Sequence, residues 1–384
     1  MFLRLMFRNA LRHKLRTALT VLGLVVAILA FGLLATVVDA WYAGAEGASS
    51  SRLITRNAVS LVFPLPTTYR EKLRGVEGVT DVTTSNWFGG VYISERNFFP
   101  QFAVDGETYF RLYPEYVIAD NEYKAFMRNR KGAIVGRKLA TTYGWKVGDV
   151  VPLRGTIYAG NWAFEVEAIY DGRDAKTDTS QFFFHWDYLN ETVKRQMPRR
   201  ADSVGVYIVN IADPGRAAEL SLRIDEQFRN SLAETLTETE KAFQLGFVSM
   251  TEAIVVAIRV VSYLVIFIIM AVMANTMAMS SRERLSEYAT MKALGFLPGR
   301  IGLLVLGESL LIAAIGGGLG VLFTFPVAAR FGAAMGSLFP VFNVSPQTVL
   351  LQAACAAAVG VVAAAVPAVK ASRVRIAEGL RAVA

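Results

Sequence analysis

Four stretches of this chain are long and apolar enough to cross a bilayer, and they limit its fold more than any other feature. A hydrocarbon core is crossed by a helix of about 20 mostly apolar residues. Thr17–Val38 has that length and carries no charge. Ala253–Met279 has it with Arg259 near one end, Ile301–Phe325 with only Glu308, and Thr348–Val369 as an Ala/Val-rich run. Lipid offers no partner to a backbone N–H or C=O, so segments of this kind are predicted to be helices.

The flanks give the orientation. Arg4, Arg8, Arg12, Lys14 and Arg16 precede the first span. Arg282, Arg284, Lys292 and Arg300 lie between the second and third, and Lys370, Arg373, Arg375 and Arg381 follow the fourth. The loop between the third and fourth spans has only Arg330. The excess of Lys and Arg on cytoplasmic loops puts both termini and the 280–300 loop inside. Residues 39–251 are then outside. The predicted order is a cytoplasmic amphipathic helix (1–16), a span (17–38), an extracytoplasmic domain (39–251), a span (253–279) and a cytoplasmic loop (280–300). A third span (301–325), a short outer loop (326–347), a fourth span (348–369) and a cytoplasmic tail (370–384) follow. The rival for the first span is a cleaved signal peptide with Val38-Asp39-Ala40 at the cut, but its apolar core exceeds the usual ~7–15 residues.

Composition fits this division. The chain is 53% hydrophobic yet 19% charged, and its mean hydropathy is +0.38, as expected of apolar spans joined to a water-soluble domain. A net charge of +8 over 384 residues argues against nucleic-acid binding; the bilayer is the expected partner. The single cysteine, Cys355, excludes an intrachain disulfide. His13 and His185 stand far apart, and no metal-ligand spacing occurs.

Between the first two spans the pattern is α+β. The Gly/Ala/Ser stretch 43–51 reads as a flexible exit or a helix end. An apolar run, Ala58–Phe63, a short helix, Thr67–Leu73, and a run at Val79–Thr84 read as strand, helix, strand. Phe164–Tyr170 alternates like a half-buried strand before an Asp171-Gly172 turn, and Ser203–Val209 is a further strand. Asp213 and Pro214 start a helix whose Ala217, Leu220, Ile224 and Phe228 share a face. From about Glu234 the pattern reads as a stalk helix running into the second span. The dense aromatics, among them Trp87, Phe98, Phe99, Tyr109, Trp162 and Phe182–Phe184, suit either a core or an apolar binding surface. The acids Asp105, Glu107, Asp171 and Asp174 are scattered near turns, as solvated loop acids are, and no catalytic set is evident.

The cytoplasmic flanks carry the most specific signal. Asn9–Thr20, Ser281–Gly295, Glu308–Leu311 with Gly316–Gly318, and Pro367-Ala368 with Arg373–Arg381 resemble, in order and spacing, permeases of the MacB/FtsX type. Val135–Ala140 with Gly148-Asp149 is similar to a segment of MacB-like periplasmic domains. The resemblance implies four membrane helices plus an α+β extracytoplasmic domain inserted between the first and second. It implies an inner-membrane permease that pairs with a second copy or close homologue and with separate ABC ATPases. A periplasmic adaptor is a further candidate partner. The sequence contains no Gly-Lys dipeptide and hence no Walker A loop. No cofactor and no catalysis are therefore expected of this chain, and ATP and Mg are expected in the partner ATPase. The implied action is mechanotransmission, driving efflux or extraction of an amphipathic peptide, drug, lipid or lipoprotein. The alternative is an FtsX-like switch that controls a cell-wall hydrolase and transports nothing.

The resemblance also points to site residues. The 281–294 segment reads as a short charged helix closed by Gly295. Arg282, Glu283, Arg284, Glu287 and Lys292 would face water or the ATPase, and Leu285, Tyr288, Ala289 and Leu294 would form an apolar strip. The other reading is a headgroup anchor. The 1–16 helix can lie in the interface on Leu3, Phe7 and Leu11. Glu308, an acid inside an apolar span, is a functional candidate by default. It equally suits a structural role, paired with a basic residue at a neighbouring span's end. Gly316 and Gly320, with Gly317 and Gly318, permit close helix approach, either as packing or as a moving joint.

Overall fold

The computed structural model describes residues 12–335, 339 and 341–376; Leu3, Phe7, Leu11 and Arg381 lie outside them. In chain order the helices are α1 (Lys14–Gly47), α2 (Tyr69–Arg74), α3 (Gly106–Leu112), α4 (Asp120–Arg128), α5 (Arg137–Tyr143) and α6 (Trp186–Gln196). They continue as α7 (Ala217–Gln227), α8 (Glu240–Ser249), α9 (Glu252–Glu283), α10 (Leu285–Ala293), α11 (Pro298–Met335) and α12 (Pro346–Ser372). The strands are β1 (Arg52–Asn57), β2 (Leu65–Pro66), β3 (Val79–Trp87), β4 (Gly90–Val91), β5 (Gln101–Val104), β6 (Tyr116–Val117) and β7 (Gly132–Gly136). They continue as β8 (Val150–Gly155), β9 (Gly160–Gly172), β10 (Phe182–His185), β11 (Ser203–Val204), β12 (Val206–Ile211) and β13 (Thr235–Thr239).

The chain divides into two units. One holds the described residues up to 39, then 252–334 and those from 342 onward; the other holds 40–251 with 335–341. Among the described residues, α1, α9, α11 and α12 are the helices long and apolar enough to cross a membrane. Each outruns its sequence-predicted span. α1 continues past Val38 to Gly47, and α11 passes through Pro326 to Met335, so much of the predicted 326–347 loop is helix. Hydropathy marks what suits lipid, whereas the hydrogen-bond ladder stops only where no i−4 partner exists. α12 starts where its sequence says a helix should: Pro346 stands at its first turn and the Ser345 hydroxyl accepts the Thr348 N–H at 3.0 Å.

Glycines set how closely these helices approach. A Cβ on Gly316 would sit 2.9 Å from Leu24 Cδ2, one on Gly320 would sit 2.8 Å from Ile28 Cβ, and one on Gly317 would sit 2.5 Å from Ala356 Cβ. The glycine-rich face of α11 is therefore occupied by α1 and α12 of the same chain. Gln352 adds a polar tie, donating at 2.8 Å both to Ile28 O and to the Thr324 hydroxyl.

The second unit is built on one mixed sheet, in the order β13-β1-β12-β3-β5-β10-β7-β9-β8-β4 with β6 beside β9. β5–β10 and β7–β9 are parallel and the remaining pairs antiparallel. β9 alternates buried and exposed residues as its sequence does. Most of the aromatics form core: Phe99, Phe164 and Phe182–Phe184 are buried, whereas Trp87 and Phe98 keep 40% and 53% exposure.

Two expectations fail here. The first strand is Arg52–Asn57, one segment before the apolar run, because Leu53, Ile54 and Thr55 fill both faces of the sheet. The Ala58–Phe63 run is a loop with Val59 and Val62 more than three-quarters exposed. The stalk does not begin at Glu234. Residues 235–239 form β13, paired antiparallel with β1, and α8 starts only at Glu240, capped by the Thr239 hydroxyl. Thr235, Thr237 and Thr239 recur with period two, and β-branched residues at that period favour a strand.

Candidate functional site

Of the charged 281–294 segment, residues 281–283 end α9 and Leu285–Ala293 form the short helix, α10, whose closure is fully specified. Gly295 adopts φ +94°, its N–H reaches Lys292 O at 3.0 Å, and the Phe296 N–H reaches Met291 O at 3.0 Å. This paired closure needs a left-handed residue, which glycine supplies without strain.

The side chains of α10 are not arranged as the sequence suggests. Arg284 is buried, at 4% exposure, and does not face water. Its Nη1 donates to both Glu308 oxygens at 2.8 Å, and its Nε donates to Glu287 Oε2 at 3.0 Å. Its guanidinium carbon lies 5.3 Å from the Tyr288 ring centre. Glu308, also 4% exposed, thus has its partner at the end of the neighbouring span. Burial is the largest influence and works against the Arg284 charge, but attraction to Glu308 and Tyr288 together with the hydrogen bonds to Glu308 and Glu287 outweighs it and raises the guanidinium pKa above its ordinary value. Tyr288 and Ala289 are buried as well, so they anchor α10 to its own chain and are not offered to a partner.

The two acids beside Arg284 point the other way, to the start of α1. Glu283 accepts two hydrogen bonds from Arg16, at 2.8 and 2.9 Å, and has His13 Nε2 at 3.6 Å. Glu287 is paired with Arg12. Burial tends to raise the Glu287 pKa, but hydrogen bonds from Arg12 and Arg284 outweigh it and hold the carboxyl below its usual range. Lys292 donates to Val374 O at 2.7 Å. The α9–α10 corner is therefore tied by directional bonds to α1 and α11, and α10 itself, through Lys292, to the segment after α12. Among the exposed residues open to a partner are Arg282 and the large apolar residues flanking Gly295, Leu294 before it and Phe296 and Leu297 after it, exposed by 74%, 41% and 60%. Leu285 is half-buried. Sequence reasoning found Leu294 but missed Phe296 and Leu297. The signal was there, in two large apolar residues directly after a helix-ending glycine.

The outer unit has an open cleft of about 720 Å³ lined by Arg70, Asp105, His185, Asn190, Lys194 and Asp202. Its charges largely answer one another: Arg70 lies 2.7 Å from Asp105 and Lys194 lies 3.0 Å from Asp202. His185 stacks on Phe126 at 3.9 Å with Nε2 on Phe126 O at 2.8 Å, and burial lowers its pKa. No three-membered cluster of metal-ligating side chains occurs among the described residues.

A loop corner bonded to the first and third membrane helices, with an α+β unit inserted after the first, is the layout of a permease subunit. The MacB-like periplasmic core domain family matches residues 17–227, and the FtsX-like permease C-terminal family matches residues 259–376. The chain belongs to the MacB/FtsX-type permeases of ABC transporters, membrane proteins with an extracytoplasmic domain that work with ABC ATPase partners. Among solved structures it is similar to the extracellular domain of the noncanonic ABC-type transporter YknZ from Gram-positive bacteria. That match has 12% identity and a TM-score of 0.36, over 49% of this chain and 98% of that one. It is also similar to the periplasmic region of MacB from Actinobacillus actinomycetemcomitans, with 10% identity and a TM-score of 0.38, over 53% and 94%. Comparison with curated proteins gives no match.

Proposed function

We propose that this chain is the permease subunit of an ABC transporter that works by mechanotransmission. A separate cytoplasmic ATPase hydrolyses ATP with its own Mg, and this chain has no catalytic site. The subunit sits in the bacterial inner membrane with both termini cytoplasmic, beside a second permease copy. It drives efflux or extraction of an amphipathic substrate outside that membrane, with a periplasmic adaptor as a further partner. The observation that carries this reading is the bonding of the 283–287 segment where α9 passes into α10: Arg284 to Glu308, and Glu283 and Glu287 to Arg16 and Arg12. A push on α10 reaches the first and third spans through charged hydrogen bonds, which hold direction better than apolar contact does. Leu294, Phe296 and Leu297 would be the apolar anchors in the ATPase groove, with Arg282 setting register.

The test is purification of the tagged chain with its partners, scored for an ABC-type ATPase by mass spectrometry and ATP hydrolysis. Leu294→Asp with Leu297→Asp should abolish co-purification. An ATPase retained by that variant would refute the docking residues, and no ATPase with the wild type would refute the transporter reading. A cell-wall hydrolase on the outer unit in place of adaptor or cargo would favour the switch.

A further inference from the structure

The outer unit is entered and left through two helical arms, the last turns of α1 from Ala40 and all of α8. These arms pack on each other. Trp41 Nε1 donates to the Thr251 hydroxyl at 2.7 Å, a Cβ on Gly44 would lie 2.8 Å from Gln244 Oε1, and the Ser49 N–H donates to Glu240 Oε2 at 3.0 Å.

Where the arms end, one guanidinium gathers the pieces. Arg52, the first residue of β1, donates through Nε to Glu240 Oε2 at 2.7 Å, through Nη2 to Glu115 Oε1 at 2.6 Å and through Nη1 to Leu112 O at 2.9 Å. Its carbon lies 4.1 Å from the centre of the Tyr113 ring, whose hydroxyl donates to Glu240 Oε1 at 2.9 Å. Arg52 and Glu240 are each 5% exposed. Glu240 is the first residue of α8, and Leu112 ends α3. A single planar fork thus fixes the sheet's second strand, the root of one arm and the end of a helix packed on the sheet.

We propose that Arg52, Glu240 and Glu115 are positioning residues, forming a joint that makes the two arms and the outer sheet move as one body. The proposal rests on the mechanotransmission reading. Well-packed apolar residues would stabilise a core as well as a buried ion cluster does. What the cluster adds is direction: a guanidinium fork bonded on three sides resists rotation, whereas apolar surfaces slide.

Hydrogen–deuterium exchange on the full chain in nanodiscs tests it, with Arg52→Gln and the shape-conserving Glu240→Gln. Amides in 240–249 and 112–117 should exchange about tenfold faster or more, with β10 unchanged, because the opening is local. Unchanged exchange, or a rise spread evenly over the outer unit, would overturn the joint. In the complex with its ATPase, nucleotide should alter outer-unit exchange in the wild type. Glu240→Gln should abolish that response while ATP hydrolysis continues, and a response that persists would overturn the proposal. Local loosening without any nucleotide response in the wild type would instead sink the mechanotransmission reading, and the joint's role with it.

Discussion

Each unit of this protein buries an arginine against glutamates, and the two clusters differ in one respect. Every nitrogen of the Arg52 guanidinium has an acceptor. Around Arg284, Nε and Nη1 are used but Nη2 is buried with no acceptor among the described residues. An unmet buried donor costs about 1–3 kcal/mol. The outer cluster therefore uses every guanidinium donor, whereas the inner one leaves one unused.

The comparison can be broken by removing partners. Arg52→Ala leaves Glu240 and Glu115 buried without their cation, and should cost the roots of the arms about 3–5 kcal/mol, read as faster amide exchange in 240–249 and 112–117 of the full chain with β10 still protected. Arg284→Ala should cost somewhat less, about 2–4 kcal/mol, because Glu287 retains Arg12 and the orphaned donor disappears with the side chain. Arg284→Met with Glu308→Leu should recover most of that loss, and a pair no better than the single variants would contradict the ion-pair account. Gly320→Val forces a side chain into α1 at a 2.8 Å approach and should cost about 1–3 kcal/mol. A neutral result would mean that α1 and α11 are not held closely.

The smallest effect is a pH slope. Burial depresses the His185 pKa below 6.5, so the unfolded chain binds the proton more readily than the folded one. Outer-unit stability is then complete above about pH 6.5 and falls as pH drops toward the folded-state pKa. Replacing His185 with Gln should flatten that slope in thermal melts between about pH 7 and 5.

The spans and the loop helix were legible in the sequence because each is a local pattern: an apolar run, a basic flank, a glycine after a charged helix. The α10 bonding was not legible. Alternating charges predict exposure, but whether Arg284 turns inward depends on an acid 24 positions away that hydropathy treats as a blemish in a span. The Arg52 joint was further from view, since its partner Glu240 stands 188 positions along the chain. β13 is a different case. Its period-two threonines stand in plain sight, and they make a strand of the residues predicted to start the stalk helix.

The most direct test of transmission uses the single thiol of this sequence. With Cys355→Ala the chain is free of cysteine, and Leu232→Cys places one spin label on a fully exposed site of the outer unit. In the ATPase complex with two permease copies, nucleotide should shift the label-to-label distance distribution. Arg284→Met with Glu308→Leu should abolish the shift while ATP hydrolysis continues. A distribution that stays fixed in the wild-type background during hydrolysis, or that shifts equally in the variant, would contradict the account.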